Sequence, residues 1–179
     1  MSHPDHFQLF HLPASFALDR DALDRAFRSV QSNVHPDRHA SGSAVERRVA
    51  MQWATRANEA YQTLKSPLKR AAYLCEQAGV PIEAESNTAM PAAFLHQQMA
   101  WREALGEVRE CGDAAALQGL DRTMAAERER LIGELHQALD VDRDHARAAA
   151  LVRQLMFVEK FATEVGAAGH AFEDEERRA

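Results

Sequence analysis

The sequence predicts an all-α protein. Apolar residues recur at helical spacing along most of its length, helix-starting and helix-ending residues fall at the edges of those runs, and no segment alternates apolar and polar residues as a half-buried strand would. Phe7 to Phe10 reads as a short first helix or turn ending near Pro13. From Asp19, a plausible N-cap, to Val34, the residues Leu23, Phe27, Val30 and Val34 share a face with Ala26, while Arg25, Arg28 and Ser32 fall elsewhere. Ser43 and Glu46 have capping-box spacing, in which each side chain satisfies the other residue's backbone donor. The helix they start carries an apolar stripe of Ala50, Trp53, Ala54, Ala57, Ala60, Tyr61 and Leu64, about 30 Å long at ~1.5 Å per residue. Its small alanines permit close approach to the preceding helix in an antiparallel hairpin. Ser66-Pro67 opens a helix of about three turns, with proline tolerated at the first helical position, and Gly79 is placed to close it.

Val80 to Met90 has few large apolar residues and reads as a linker. Pro91 reopens helical periodicity, and three long patterns follow near 91–111, 113–139 and 143–168, broken at Gly112-Asp113 and at Asp140-Val141-Asp142. Short connections between long helices imply antiparallel neighbours, hence a three-helix bundle. The expected organisation is an N-terminal domain over 1–79, a linker over 80–90, a bundle over 91–170 and an acidic tail over 171–179.

The 179 residues carry a net charge of −6, unevenly spread. Residues 1–75 hold ten Lys and Arg against seven Asp and Glu; residues 76–179 hold eleven against twenty. Two parts of opposite sign suit different partners. Affinity for phosphate backbones comes mainly from Lys and Arg, so an acidic chain without a basic, aromatic-rich stripe is not expected to bind nucleic acid. No basic segment precedes an apolar one at the N-terminus, and no apolar run reaches the ~20 residues of a membrane-spanning helix, so a cytoplasmic protein without membrane attachment is expected. Cys75 and Cys111 lack the paired spacing of a zinc site and read as reduced side chains in or near a core.

His35-Pro36-Asp37 is the most informative motif. Proline fixes its own φ and disfavours the α region for the residue before it, so the second helix ends before His35 and the tripeptide sits at the tip of the hairpin. The same letters occur at His3-Pro4-Asp5, without a helix on each side. Such a turn presents an imidazole and a carboxylate to an arginine or backbone groups of another protein. Arg25 and Arg28, three residues apart, extend that surface along the second helix. As metal ligands, His35 and His39 are separated by proline, and no Cys or third His stands near them in sequence; a hydrolase using His35, Asp37 and His39 would carry stoichiometric metal on elemental analysis. No nucleophile-base pair or phosphate-cradling glycine loop is present, so neither an enzyme activity nor a cofactor is expected.

Helix, His-Pro-Asp, helix resembles the J domain, which stimulates ATP hydrolysis by DnaK-type chaperones. The resemblance continues through Asn58 to Leu64 and Ser66 to Leu74. Phe94 to Leu105 and Val152 to Phe161 are similar to the HscB family, the J-domain co-chaperones of iron–sulfur cluster assembly. It implies an L-shaped protein, a J domain joined to a three-helix bundle, and a role for His35, Pro36 and Asp37 in driving hydrolysis by an HscA/DnaK-type chaperone. The chain departs from the usual J domain in its sparser basic patch, with Ser32 and Asn33 before the loop and Val34 where an aromatic is common.

Leu95 and Met99, four apart, stand on a strip of the first bundle helix next to its Phe94, Trp101, Leu105 and Val108 face. Spacing alone leaves two readings: a wide core stripe, or a binding patch bordered by Arg102, Glu103 and Glu107 and completed by Phe157, which lies off the Leu151, Leu155, Val158, Ala162, Val165 stripe. The HscB resemblance implies the second. It matches Leu95, Met99, Arg102, Glu103, Glu107 and Phe157 to the surface that binds an IscU-type scaffold, with His96 and Ala100 as departures. A general J-domain co-chaperone would instead use this patch for many apolar peptides.

Overall fold

The structure is a computed structural model that describes residues 5–34, 43–82 and 90–176, with side chains described as far as Phe172. Seven α-helices form among the described residues: α1 His6–Leu9, α2 Arg20–Val34, α3 Ala44–Lys65, α4 Pro67–Gln77, α5 Ala92–Cys111, α6 Ala114–His136 and α7 His145–Glu176. No strand forms among the described residues.

The predicted caps are in place. Asp19 Oδ1 accepts from the backbone N–H groups of Asp21 and Ala22 at 2.9 and 3.1 Å. Ser43 N donates to Glu46 Oε2 at 2.7 Å while Glu46 N donates to Ser43 Oγ at 3.2 Å, the reciprocal box. Ser66 Oγ accepts from Lys69 N, and Gly79 takes φ +78°, a left-handed conformation that costs glycine no Cβ clash. Asp5 makes a capping box of its own: its Oδ1 accepts from Phe7 N and Gln8 N at 2.8 and 2.9 Å. The aspartate of the N-terminal His-Pro-Asp copy is thus a structural residue.

The N-terminal hairpin is antiparallel. Near the start of α2, Asp24 accepts from the Tyr61 hydroxyl at 2.9 Å, and Phe27 stacks on Tyr61 with centroids 4.2 Å apart. Arg20 reaches the Lys65 carbonyl at the end of α3. The Tyr61 hydrogen bond leads in holding the Asp24 carboxyl below its ordinary range. Leu23, Ala60 and Leu64 are buried between these helices, with Phe7 and Phe10 from the N-terminal segment.

In the bundle, Phe94, Trp101, Leu105 and Val108 of α5 are all buried, as are Leu151, Leu155, Val158 and Val165 of α7. Glu127, a buried acid of α6, is neutralised by Arg130, whose Nη2 and Nε lie 2.6 and 2.9 Å from its two oxygens; without that partner a buried carboxylate would be strongly destabilising. Two boundaries differ from expectation. The α-helical part of α6 ends at His136 and is followed by a π-helical turn, Gln137–Val141. At the other end, α7 runs through Glu176, into the segment read as a tail, because Ala168 is still buried and Phe172 still packs on the core.

A single cluster of buried residues joins the N-terminal helices to the bundle: Phe16, Ala71 and Cys75 lie in the same core as Leu139, Ala149 and Val152. Cys75 sits 3.7 Å from the His145 carbonyl oxygen, and burial pushes its thiol up to about 11. Cys111 is exposed, contrary to the expectation of a place in or near the core, because it falls in the last turn of α5, off the buried face. The two thiols therefore react differently. At pH 8 a maleimide should modify Cys111 rapidly and leave Cys75 protonated and untouched, with the second equivalent appearing only in denaturant; rapid modification of both in the folded protein would contradict this packing.

Candidate functional site

His35, Pro36 and Asp37 lie outside the described residues. The helices on either side of them are as predicted, with α2 ending at Val34 and α3 beginning at Ala44 behind its Ser43 cap. Arg25 and Arg28 are both exposed on α2. Arg25 has a loose partner in Asp19, 3.9 Å away with both side chains well solvated, an ion pair worth little.

The second candidate surface is built on α5. Its buried face is complete without Leu95 and Met99, which are 44% and 59% exposed. That exposure removes the wide-core reading for these two residues. Glu103 and Glu107 continue the line at four-residue intervals and are exposed, as is Arg102. His96 and Ala100, the two departures, are also exposed on this helix.

Phe157 is different. It is half-buried, packed edge-on against Phe94 at 5.9 Å and stacked with Trp101 and Phe161 at 6.4 and 5.9 Å. The Arg102 guanidinium lies over its ring, 5.7 Å from the centroid. Phe157 is thus the top of an aromatic stack whose lower members are core, and Arg102 is the link between it and the α5 strip. Spacing placed Phe157 off the core stripe of α7; what spacing could not register is that bulky aromatics on α5 reach across to it. Truncating Phe157 to Ala should lower stability by about 2–4 kcal/mol, somewhat less than a fully buried phenylalanine. Thermal or denaturant unfolding reads this directly, and an unchanged midpoint would mean that the ring is only a surface contact.

Residues the sequence did not single out also bear on this region. The Gln98 amide donates to the Met90 sulfur at 3.0 Å, tying α5 back to the segment that leads into it. Arg153 of α7 donates to the Ile82 carbonyl at 3.1 Å, anchoring the far end of the connecting segment. Neither contact has a signal in sequence spacing. Of the scattered histidines, His170 is exposed, His145 half-buried, and His136 lies 3.0 Å from Asp140. No cluster of three His, Cys, Asp or Glu suited to a metal occurs among the described residues, and no described helix is long and apolar enough to cross a membrane.

Residues 90–166 match the family described as the HSCB C-terminal oligomerisation domain. A co-chaperone protein HscB homolog of Bordetella petrii is 55% identical over 94% of this chain and 98% of its own length. The chain belongs to the HscB family. A Burkholderia multivorans HscB homolog is 54% identical over 90% of this chain and 92% of its own. Chaperone HscB from Vibrio cholerae superposes with a TM-score of 0.83 at 35% identity, covering 94% of this chain and 99% of that one. Human co-chaperone HscB shares the fold, with a TM-score of 0.87 at 24% identity over 93% of this chain and 83% of its own. Family membership makes the protein a co-chaperone, and its fold is that of the HscB structures, an N-terminal J domain with a C-terminal helical bundle.

Proposed function

We propose that the protein binds an IscU-type iron–sulfur scaffold through the α5 strip and α7, delivers it to an HscA/DnaK-type chaperone, and stimulates that chaperone's ATPase through the His35-Pro36-Asp37 loop. The reaction belongs to the chaperone, and the co-chaperone catalyses none itself. In this reading residues 1–79 carry the chaperone contact, 80–90 connect, 91–170 carry the scaffold contact, 171–179 form the acidic end, and the protein works in the cytoplasm.

The observation that carries the proposal is the exposure of Leu95 and Met99 beside a core that does not need them. Apolar side chains held at the surface of a well-packed helix gain by being covered. Arg102, Glu103 and Glu107 would form the polar rim, where charges contribute more to encounter and register than to affinity. Arg102 differs from the two acids, because its stem and guanidinium cover Phe157. Loss of Arg102 should therefore remove packing as well as charge. The positive balance of the first 75 residues and the negative balance of the rest support separate partners for the two parts. Isothermal titration of the scaffold into the intact protein tests the reading. One-to-one binding that is weakened by Leu95→Ala and Met99→Ala supports it, and a heat unchanged by both substitutions counts against it.

A further inference from the structure

The junction between the J domain and the bundle is held by directional contacts as well as by shared apolar packing. Asp140, in the π-helical turn after α6, accepts from the Phe16 backbone N–H at 2.8 Å through Oδ1 and from the Ala17 backbone N–H at 2.7 Å through Oδ2. One carboxylate of the bundle thus grips two consecutive amides of the segment that leads into α2. His136 Nδ1 lies 3.0 Å from Oδ2. On the J-domain side, the ring of Phe16 is covered by the Arg70 guanidinium of α4, 5.0 Å from its centroid, and Arg70 in turn donates to the Leu64 carbonyl at 2.8 Å. The gripped segment is therefore fastened to α3 and α4 behind it.

The turn that presents Asp140 departs from α-helix geometry. Asp142 N bonds to the Gln137 carbonyl five residues back, and the chain then reverses through Arg143 at φ +56°. π-helical turns are rare and frequently mark functional sites, and this one carries a side chain that reaches across the junction. Here the side chain is Asp140. Burial opposes its charge, yet the Phe16 and Ala17 amides, His136 and the Ser15 hydroxyl together hold its carboxyl below the ordinary carboxylate range.

We propose that Asp140 is a positioning residue that fixes the angle between the J domain and the bundle, and so holds the α2 surface at a set attitude to the Leu95 and Met99 strip. The apolar contacts at the junction resist separation but are non-directional, so they tolerate sliding that two short hydrogen bonds to adjacent amides do not. This claim concerns geometry and stands whether or not the two surfaces bind the partners proposed above.

Spin-label distances on the full chain test it. Cys111 is exposed and takes one label, Ser29→Cys on the exposed side of α2 takes the other, and buried Cys75 stays unlabelled. The parent should give one narrow distance. Asp140→Ala, and the isosteric Asp140→Asn in case the first variant folds poorly, should add a shifted or broadened population while helical content stays at the parent level. Asp142→Ala removes contacts to Gln137 and Arg147 within the bundle and should leave the distance unchanged. A narrow, unshifted distance in both Asp140 variants would overturn the proposal, as would an equal shift in Asp142→Ala, which would point to general loosening of the turn.

Discussion

Replacing His35 with Gln should reduce stimulation of the partner chaperone's ATPase to its basal rate while leaving helicity, melting temperature and scaffold binding as they were. The helices that flank the loop have their own fastenings. Asp19 caps α2, Ser43 and Glu46 cap α3, and the hairpin is pinned by the Tyr61 contacts with Asp24 and Phe27 at the end away from the loop. With none of these depending on His35, the substitution should cost within ~0.5 kcal/mol of stability. His3→Gln, in the other copy of the tripeptide, should change nothing. Asp5→Ala supplies a sharper control, since losing that cap should cost about 1 kcal/mol with no effect on stimulation. A large drop in the melting temperature of His35→Gln would make the loop structural, and equal losses of stimulation at His3 and His35 would remove the functional distinction between the copies.

The double variant Leu95→Ala, Met99→Ala should weaken scaffold binding by about a thousandfold, taking ~2 kcal/mol for each hot-spot side chain. Both side chains face solvent in the free protein, so the melting temperature should hold within a degree or two of the parent, the shift that ~0.5 kcal/mol produces in a domain of this size. Glu107→Ala, at the rim, should matter far less. Phe157 is kept out of this variant because its ring belongs to the aromatic stack, and its truncation would mix lost binding with lost stability. If titration calorimetry finds the double variant binding as the parent does, the α5 strip is not the scaffold surface.

What the sequence made legible was mostly local. The Ser43 and Glu46 capping box, Ser66-Pro67 and the glycines at 79 and 112 mark helix ends through chemistry confined to a few residues, and the helices begin and end there. The inward stripes of α5 and α7 were readable for the same reason, because periodicity reports which face a helix buries. The candidate patch was only half readable. That Leu95 and Met99 were surplus to the core followed from spacing, whereas the position of Phe157 between core and surface depends on Phe94, Trp101 and Phe161 arriving from two helices. The junction was not readable at all. A polar acid in a predicted break gives no sign that it will meet amides more than a hundred residues earlier, and the composition of Val80 to Met90 suggested separation where Phe16, Ala71 and Cys75 share a core with the bundle.

Steady-state ATP hydrolysis by the chaperone, measured with this protein alone, with the scaffold alone and with both together, tests the central claim most directly. Each alone should stimulate modestly, and the two together should exceed the sum of their separate effects, with the excess lost in either His35→Gln or the Leu95→Ala, Met99→Ala double variant. Rates that simply add, or an excess that survives both sets of substitutions, would contradict a protein that brings a scaffold to its chaperone through these two surfaces.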